Sequence, residues 1–226
     1  MNLLLEACVH TVTTRHAGEK ALPKLPQALI AVIDALISEA VEFGHGGTFV
    51  FLPPTIDSKE QERNLASRLF PPVTTDIGKL LIEMLHSEEM PYHEFSQKLL
   101  LQTTKAVGRL AGVDGCVVLD YGLCLKMFGA RITTSDAVKL KIQTIDPWSH
   151  RGFEEMGPLA APRLNTLGTR HHFAARLCAA IPGTTAIVIS QDADIRVFQG
   201  ADGYVADCGA LAFIPAFSHV PKRPPP

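Results

Sequence analysis

Two short motifs carry the residues that can do chemistry. Val113-Asp114-Gly115-Cys116 runs into the apolar stretch Val117-Val118-Leu119, which places a carboxylate and a glycine at the start of a strand. Leu167-Gly168-Thr169-Arg170-His171-His172 runs into Phe173-Ala174-Ala175, which places a Gly-Thr turn and hydrogen-bonding or cationic side chains at the start of a helix. A glycine ahead of a helix lets backbone N–H groups approach an anion, and the Thr169 hydroxyl can cap the helix or meet a phosphate oxygen. Arg170 offers a planar fork suited to phosphate, and His171 a further donor. Asp114 is a hard ligand for a divalent cation. A metal-binding carboxylate and a phosphate cradle are the minimum for chemistry on a nucleoside triphosphate. The same residues also read as an Asp-Gly turn and as a Thr N-cap with exposed Arg and His.

A third segment, Val188-Ile189-Ser190-Gln191-Asp192, leaves a β-branched strand directly, and ligands in open α/β sheets sit at the carboxyl ends of strands. Ser190 can reach a phosphate there, and Asp192 can supply a second metal carboxylate. Gln191 and Asp194 also suit a plain hairpin turn.

Other chemistries find no support. No Gly-x-x-x-x-Gly-Lys-Ser/Thr occurs, so the chain has no P-loop, and no Gly-x-Ser-x-Gly marks a hydrolase elbow. His10, His16 and His45 have no metal spacing, and the adjacent His171 and His172 project about 100° apart on a helix. Thr14-Arg15-His16 repeats Thr169-Arg170-His171 but lacks the glycine before it and the Ala-rich helix after it, and reads as coincidence. The 5 cysteines are odd in number and contain no C-x-x-C pair, so neither a disulfide framework nor a zinc site is expected; Cys116 reads as a packed thiol.

The elements that must position these motifs follow from spacing. Residues 25–43 carry a helical stripe (Leu29, Val32, Ile33, Leu36, Ile37, Val41), stopped by His45-Gly46-Gly47, and Thr48–Leu52 is a short buried strand. A short helix is expected around Lys59–Leu69, and two longer ones over 75–87 and 93–110, the second burying Phe95, Leu99, Leu100, Val107 and Leu110. Cys116–Leu119, a Tyr121-Gly122 turn using positive φ at Gly122, and Leu123–Phe128 form a hairpin. Residues 134–166 read as irregular, with a long loop over 146–163. A helix over 169–181 is followed by strands at Thr185–Ser190, Ile195–Phe198, Tyr204–Asp207 and Leu211–Ile214. The fold class expected is α/β, a mixed central β-sheet flanked by helices. The division expected is an extension over 1–24, one nucleotide-binding domain over 25–214 and a basic, proline-rich tail over 215–226.

The chain has 226 residues, 46% hydrophobic and 19% charged, enough for a proper core. The net charge of −2 offers no bulk attraction for nucleic acid, so none is expected as a partner. The N-terminus lacks a basic leader, and no apolar run approaches the roughly 18 residues of a membrane span. A reducing cytoplasm is the expected location.

The order Asp-Gly-small, Gly-Thr-Arg-His, then Ser after a Val/Ile strand resembles the diadenylate cyclase (DAC) domain family, that of the DisA N-terminal domain. Asp114-Gly115-Cys116 stands for the family's Asp-Gly-Ala, Gly168–His172 for Gly-Thr-Arg-His-Arg, and Val188–Asp192 for its Val-Ser-Glu-Glu region. Gly129-Ala130-Arg131-Ile132 is similar to the family's strand end between the motifs, and His45–Val50 to its earlier helix-to-strand passage. The likeness spans residues 30–210. It implies a DAC-like mixed sheet and a homodimer in which each subunit binds one ATP and the two condense to cyclic di-AMP. By the same resemblance Asp114 would hold Mg²⁺ or Mn²⁺, with Asp192 as a second metal carboxylate. Thr169, Arg170 and His171 would bind and steady the phosphates, within a cradle that includes Gly168 and His172. Gly115, Cys116 and Ile132 would line the nucleoside, and Ser190 would contact phosphate. Three positions depart from the family: Cys116 for Ala, His172 for the second Arg, and Gln191 for a Glu. The last two remove charge from the site. They keep open an alternative, a catalytically degenerate DAC-like domain that binds and senses a nucleotide or cyclic dinucleotide.

Overall fold

The computed structural model describes residues 3–17, 22–44, 46–54, 56, 63–66, 69–71, 74–87, 92–134, 140–144, 167–192 and 194–210. Five α-helices and nine strands are present among them: α1 (Leu3–Val12), α2 (Leu25–Glu42), β1 (Gly47–Leu52), β2 (Leu65–Ala66), β3 (Thr75–Asp76), α3 (Ile77–His86), α4 (His93–Arg109), β4 (Cys116–Asp120), β5 (Cys124–Ile132), β6 (Ile142–Thr144), α5 (Thr169–Ala180), β7 (Thr185–Ile189), β8 (Ile195–Ala201) and β9 (Tyr204–Ala210). None of these helices is long and apolar enough to cross a membrane.

The strands form one mixed sheet in the order β2-β5-β4-β1-β7-β8-β9-β6, with β3 also on β5. β1 runs parallel to β4 and β6 parallel to β9; the remaining pairs are antiparallel. Both faces are covered, so the central strands are apolar throughout rather than alternating with polar residues, as strands with two buried faces must be. Alternate residues still face opposite layers. Phe49, Phe51, Val117, Leu119, Ile187 and Ile189 enter one core with Leu29, Leu36 and Ile37 of α2. Val50, Leu52, Cys116 and Val118 enter a second with Leu177 and Ile181, and Ala186 and Val188 a third with Ala174, Ala175 and Cys178. Helices α1 to α4 therefore cover one face and α5 lies on the other.

The α/β class and the mixed sheet are those expected from the sequence. Four local readings change. Within the stretch read as a short helix, Arg63 and Asn64 are helical, but Leu65-Ala66 leave it and pair with Arg131 and Ile132 of β5. β6 falls inside the stretch read as irregular and pairs with β9. On α4 the buried stripe is Leu100, Thr104, Val107 and Gly108; Phe95 is 68% exposed and Leu99 38%. The reason is the contact with α2: Gly108 lacks the Cβ that would sit 2.9 Å from the Glu39 Cβ, so the helices meet on that line. In the β4–β5 turn the positive φ belongs to Leu123 (59°), not Gly122. A Cβ on Gly122 would meet the Arg15 guanidinium, the movable end of a long side chain. The expected 146–163 loop, the Leu211–Ile214 strand and the 215–226 tail lie outside the described residues.

Candidate functional site

At one end of the sheet, on the α5 face, β1 and β4 begin while β5 and β7 end. The N-terminus of α5 overhangs this end, and a cavity of about 640 Å³ opens there. Such a volume is within the usual range for small-molecule sites. Asp114, Gly115 and Cys116 line it from the start of β4; Ala130, Arg131 and Ile132 from the end of β5. Gly168, Thr169, Arg170, His171 and Phe173 line it from α5, and Ser190, Gln191 and Asp192 from the turn after β7. The three segments singled out in the sequence thus converge, and the acidic residue and the basic cluster share one cavity. Of the residues proposed for the site, His172 alone is absent from the lining.

Asp114 is placed by the glycine after it. Gly115 has φ +112°, and a Cβ there would sit 2.5 Å from the Gly129 carbonyl carbon and 2.8 Å from the Ala130 oxygen. Close packing of this loop on β5 turns the exposed Asp114 toward the cavity mouth. Gly115→Ala is expected to lower stability by about 3 kcal/mol, the sum of strain and overlap, in a thermal melt. Gly168→Ala should be nearly neutral. Gly168 has φ −66°, ψ 166°, an extended conformation open to any residue, and the nearest atom to a Cβ there is His171 Nδ1 at 3.8 Å.

Helix α5 starts without a side-chain cap. Gly168 is the N-cap, and Thr169 is already the first helical residue, so its hydroxyl is not spent on capping. An uncapped N-terminus leaves N–H groups and the positive end of the helix dipole for an anion. Arg170 lies over the β1–β7 junction, where a Cβ on Gly46 would stand 3.0 Å from its Nη1 and 2.7 Å from the Ile189 oxygen. His171 is only 6% exposed, and among the described residues neither ring nitrogen has a hydrogen-bond partner of good geometry. Its ring meets Phe198 edge-on at 6.3 Å. Burial, and then the nearby Arg196 guanidinium, pushes its pKa below the ordinary imidazole value, so the ring is neutral near pH 7. Arg196 is itself held at 2.8 Å by the buried Asp207. A buried imidazole without a well-placed partner is costly, and the cavity it lines can supply one.

Ser190 accepts a hydrogen bond from the Asp194 N–H at 3.0 Å, which fixes the turn and leaves its own O–H free to donate. Asp192 is exposed within that turn. Burial pushes the Cys116 thiol up to about 12, so it is a packed wall residue and no nucleophile. Among the described residues no group of three or more His, Cys, Asp or Glu side chains is arranged to hold a metal. Among the described residues, Asp114 and Asp192 are the carboxylates on the cavity wall.

No protein-family model matches the chain, and no curated protein does. Among solved structures it is similar to DacA from Staphylococcus aureus, crystallised as a double mutant. The identity is 17%, 80% of this chain and 86% of that chain are covered, and the TM-score is 0.39.

Thr48, Arg131 and Phe173 also line the cavity and were not singled out by sequence reasoning. Thr48 was hidden inside an apolar strand. Arg131 and Phe173 adjoin recognised motifs, and adjacency was the one signal available.

Proposed function

We propose that this chain is a DAC-like nucleotide domain that condenses two ATP molecules into cyclic di-AMP and releases two pyrophosphates. The observation that carries the reading is the convergence of Asp114, the open α5 N-terminus with Thr169, Arg170 and His171, and Ser190 on one cavity. The cradle sits on the β7 side. Cys116, Ala130 and Ile132 make the β4–β5 side apolar. A nucleotide fits across this polarity with phosphates under α5 and its nucleoside over β4 and β5.

In the reaction the 3′-oxygen of one ATP bonds to the α-phosphorus of the other, the bond to the β-phosphate oxygen breaks, and pyrophosphate leaves; the reciprocal step closes the ring. The hydroxyl proton passes to Asp114 or to solvent. Arg170 and the α5 N–H groups stabilise the negative charge that builds on the α-phosphate oxygens. Neutral His171 can donate one N–H to a phosphate without adding charge in the free protein. Mg²⁺ or Mn²⁺ fits two wall carboxylates, because such ions take one or two carboxylates and complete their shell with phosphate and water. Asp114 and Asp192 would hold it, and it would supply Lewis acidity at the phosphates.

No subunit can complete the ring alone, so two cavities must face each other. The rim beside Asp114 suits that arrangement: Leu69 is 54% exposed, Phe70 62% and Val113 41%. Leu69 and Val113 both lie close to Gly129. Contiguous apolar surface of this kind marks protein contacts.

The test is incubation with ATP and Mn²⁺ or Mg²⁺, read for cyclised product and for binding. Product formation at a rate that rises with protein concentration is expected. Stabilisation by ATP without turnover across metals would replace the cyclase with a nucleotide sensor. The position of His172 off the cavity wall and of Gln191 on it favours that second reading.

A further inference from the structure

Helix α5 and its C-cap carry one line of residues, Thr169, Phe173, Leu177 and Ile181, each four positions on from the last. Leu177 and Ile181 close over Cys116, Met127 and Ala130, with Ile132 packed at the edge of the same cluster. Phe173 lies one turn nearer the helix start and lines the cavity with Ala130 and Ile132. Its neighbours Ala174, Ala175, Leu177 and Cys178 are fully buried, whereas Phe173 itself is 38% exposed. An aromatic ring left open on the wall of a cavity, in a helix that otherwise seals its apolar side chains, is a surface waiting for a flat partner.

We propose that Phe173 is the stacking platform for the nucleobase and sets the site's preference for purines over pyrimidines. The inference rests on the nucleotide reading of the cavity. Thr169 marks the phosphate end. Phe173 stands four residues further along α5, about 6 Å down the helix axis. That is a length comparable with the sugar that separates a phosphate from its base. The ring therefore falls where the base must lie once the phosphates occupy the helix N-terminus. Ile132 and Ala130 line the same cavity, so the base meets apolar surface beyond the ring as well. A purine offers more π-face than a pyrimidine and gains more from the stack.

The test uses the full chain and ligands that cannot cyclise. Calorimetry would compare 3′-deoxy-ATP, which lacks the attacking hydroxyl, with 3′-deoxy-CTP and inorganic tripolyphosphate. Wild type is expected to bind the adenine nucleotide tightest and tripolyphosphate weakest. Phe173→Ala should weaken 3′-deoxy-ATP by about tenfold or more, leave tripolyphosphate unchanged and erase the purine preference. Phe173→Trp should retain it. Equal affinity of Phe173→Ala and wild type for 3′-deoxy-ATP would overturn the platform, as would equal losses for nucleotide and tripolyphosphate, which would mark Phe173 as a support of the fold. Wild type that binds tripolyphosphate as well as 3′-deoxy-ATP would remove the base slot and leave the phosphate cradle standing. Wild type that binds none of the three would remove both.

Discussion

Asp114→Asn is expected to leave ATP bound while cyclic di-AMP formation falls by about a thousandfold or more. The substitution keeps size and one hydrogen-bond acceptor but removes the charge on which, in the proposed reaction, a divalent ion and the 3′-hydroxyl proton would depend. Asp114 lines the cavity from the start of β4 and not from α5, where the proposed phosphate cradle sits, so affinity for 3′-deoxy-ATP measured without metal should hardly move. Its backbone is fixed by the forced geometry at Gly115, and the side chain is exposed, so the melting temperature should also stay near that of wild type. Product assay, calorimetry and melt together separate a chemical role from a structural one. Full activity in the Asp114→Asn protein would remove the carboxylate from the mechanism. A large loss of metal-free affinity would reassign it to nucleotide binding.

Why Asp114 could be picked out in the sequence, and Phe173 could not, has a physical basis. Asp-Gly before a β-branched run is a local pattern: the glycine is demanded by a backbone contact with Gly129 and Ala130, and such demands leave a mark at one position. Gly-Thr-Arg-His before an Ala-rich helix is local too. The elements that carry these motifs were also visible, because strands sealed on both faces read as apolar runs and α2 as a clean stripe. Phe173 gives no such mark. Whether a phenylalanine in a helix is buried or lines a hole depends on which strand lies beneath it, a fact of topology and not of spacing. Phe95 and Leu99 show the same limit in reverse: their spacing fits a buried face, yet the contact of Gly108 with Glu39 turns α4 so that they are exposed. β2 and β6 are too short to carry a period at all, and they exist because β5 and β9 offer them an edge.

The motif dismissed as coincidence, Thr14-Arg15-His16, has a job at the far end of the sheet. α1 buries Leu4, Cys8 and Val12 in the core shared with α2, and the π-helical turn Thr13–Ala17 that follows brings Arg15 and His16 to two carboxylates. Arg15 contacts Asp120 through both nitrogens, at 3.2 and 2.9 Å, and His16 lies 3.3 Å from Asp76, the N-cap of α3. Lys126 at 2.9 Å and the Cys124 N–H at 3.0 Å complete the shell of Asp120, whose side chain is 6% exposed. Burial pushes the pKa of this carboxyl up, but the hydrogen bonds from Arg15, Lys126 and Cys124 outweigh it and hold the pKa below the ordinary carboxylate value.

Removing one partner of a buried pair leaves the others uncompensated, so Asp120→Ala should lose about 3 to 5 kcal/mol. For a chain of this size that corresponds to a melting temperature lower by about 10 °C. The pH dependence has a definite sign. Because the folded pKa is depressed, the stabilisation is complete above the unfolded value, about pH 4, and is lost as pH falls through the folded one. The gap between wild type and Asp120→Asn should therefore be widest at pH 7 and narrow below about pH 4. Arg15→Ala should lose less, since its side chain is one-third exposed and Lys126 remains. Combined with Asp120→Asn it should add little further, because both act on one interaction. Additive losses in melts of the single and double variants would show the contact to be incidental. Asp120 and Asp114 stand at opposite ends of β4, so at 25 °C, where every variant stays folded, affinity for 3′-deoxy-ATP should not follow the melting temperature. If it does fall in step, the N-terminal clasp reaches the cavity through β4 and is more than a brace.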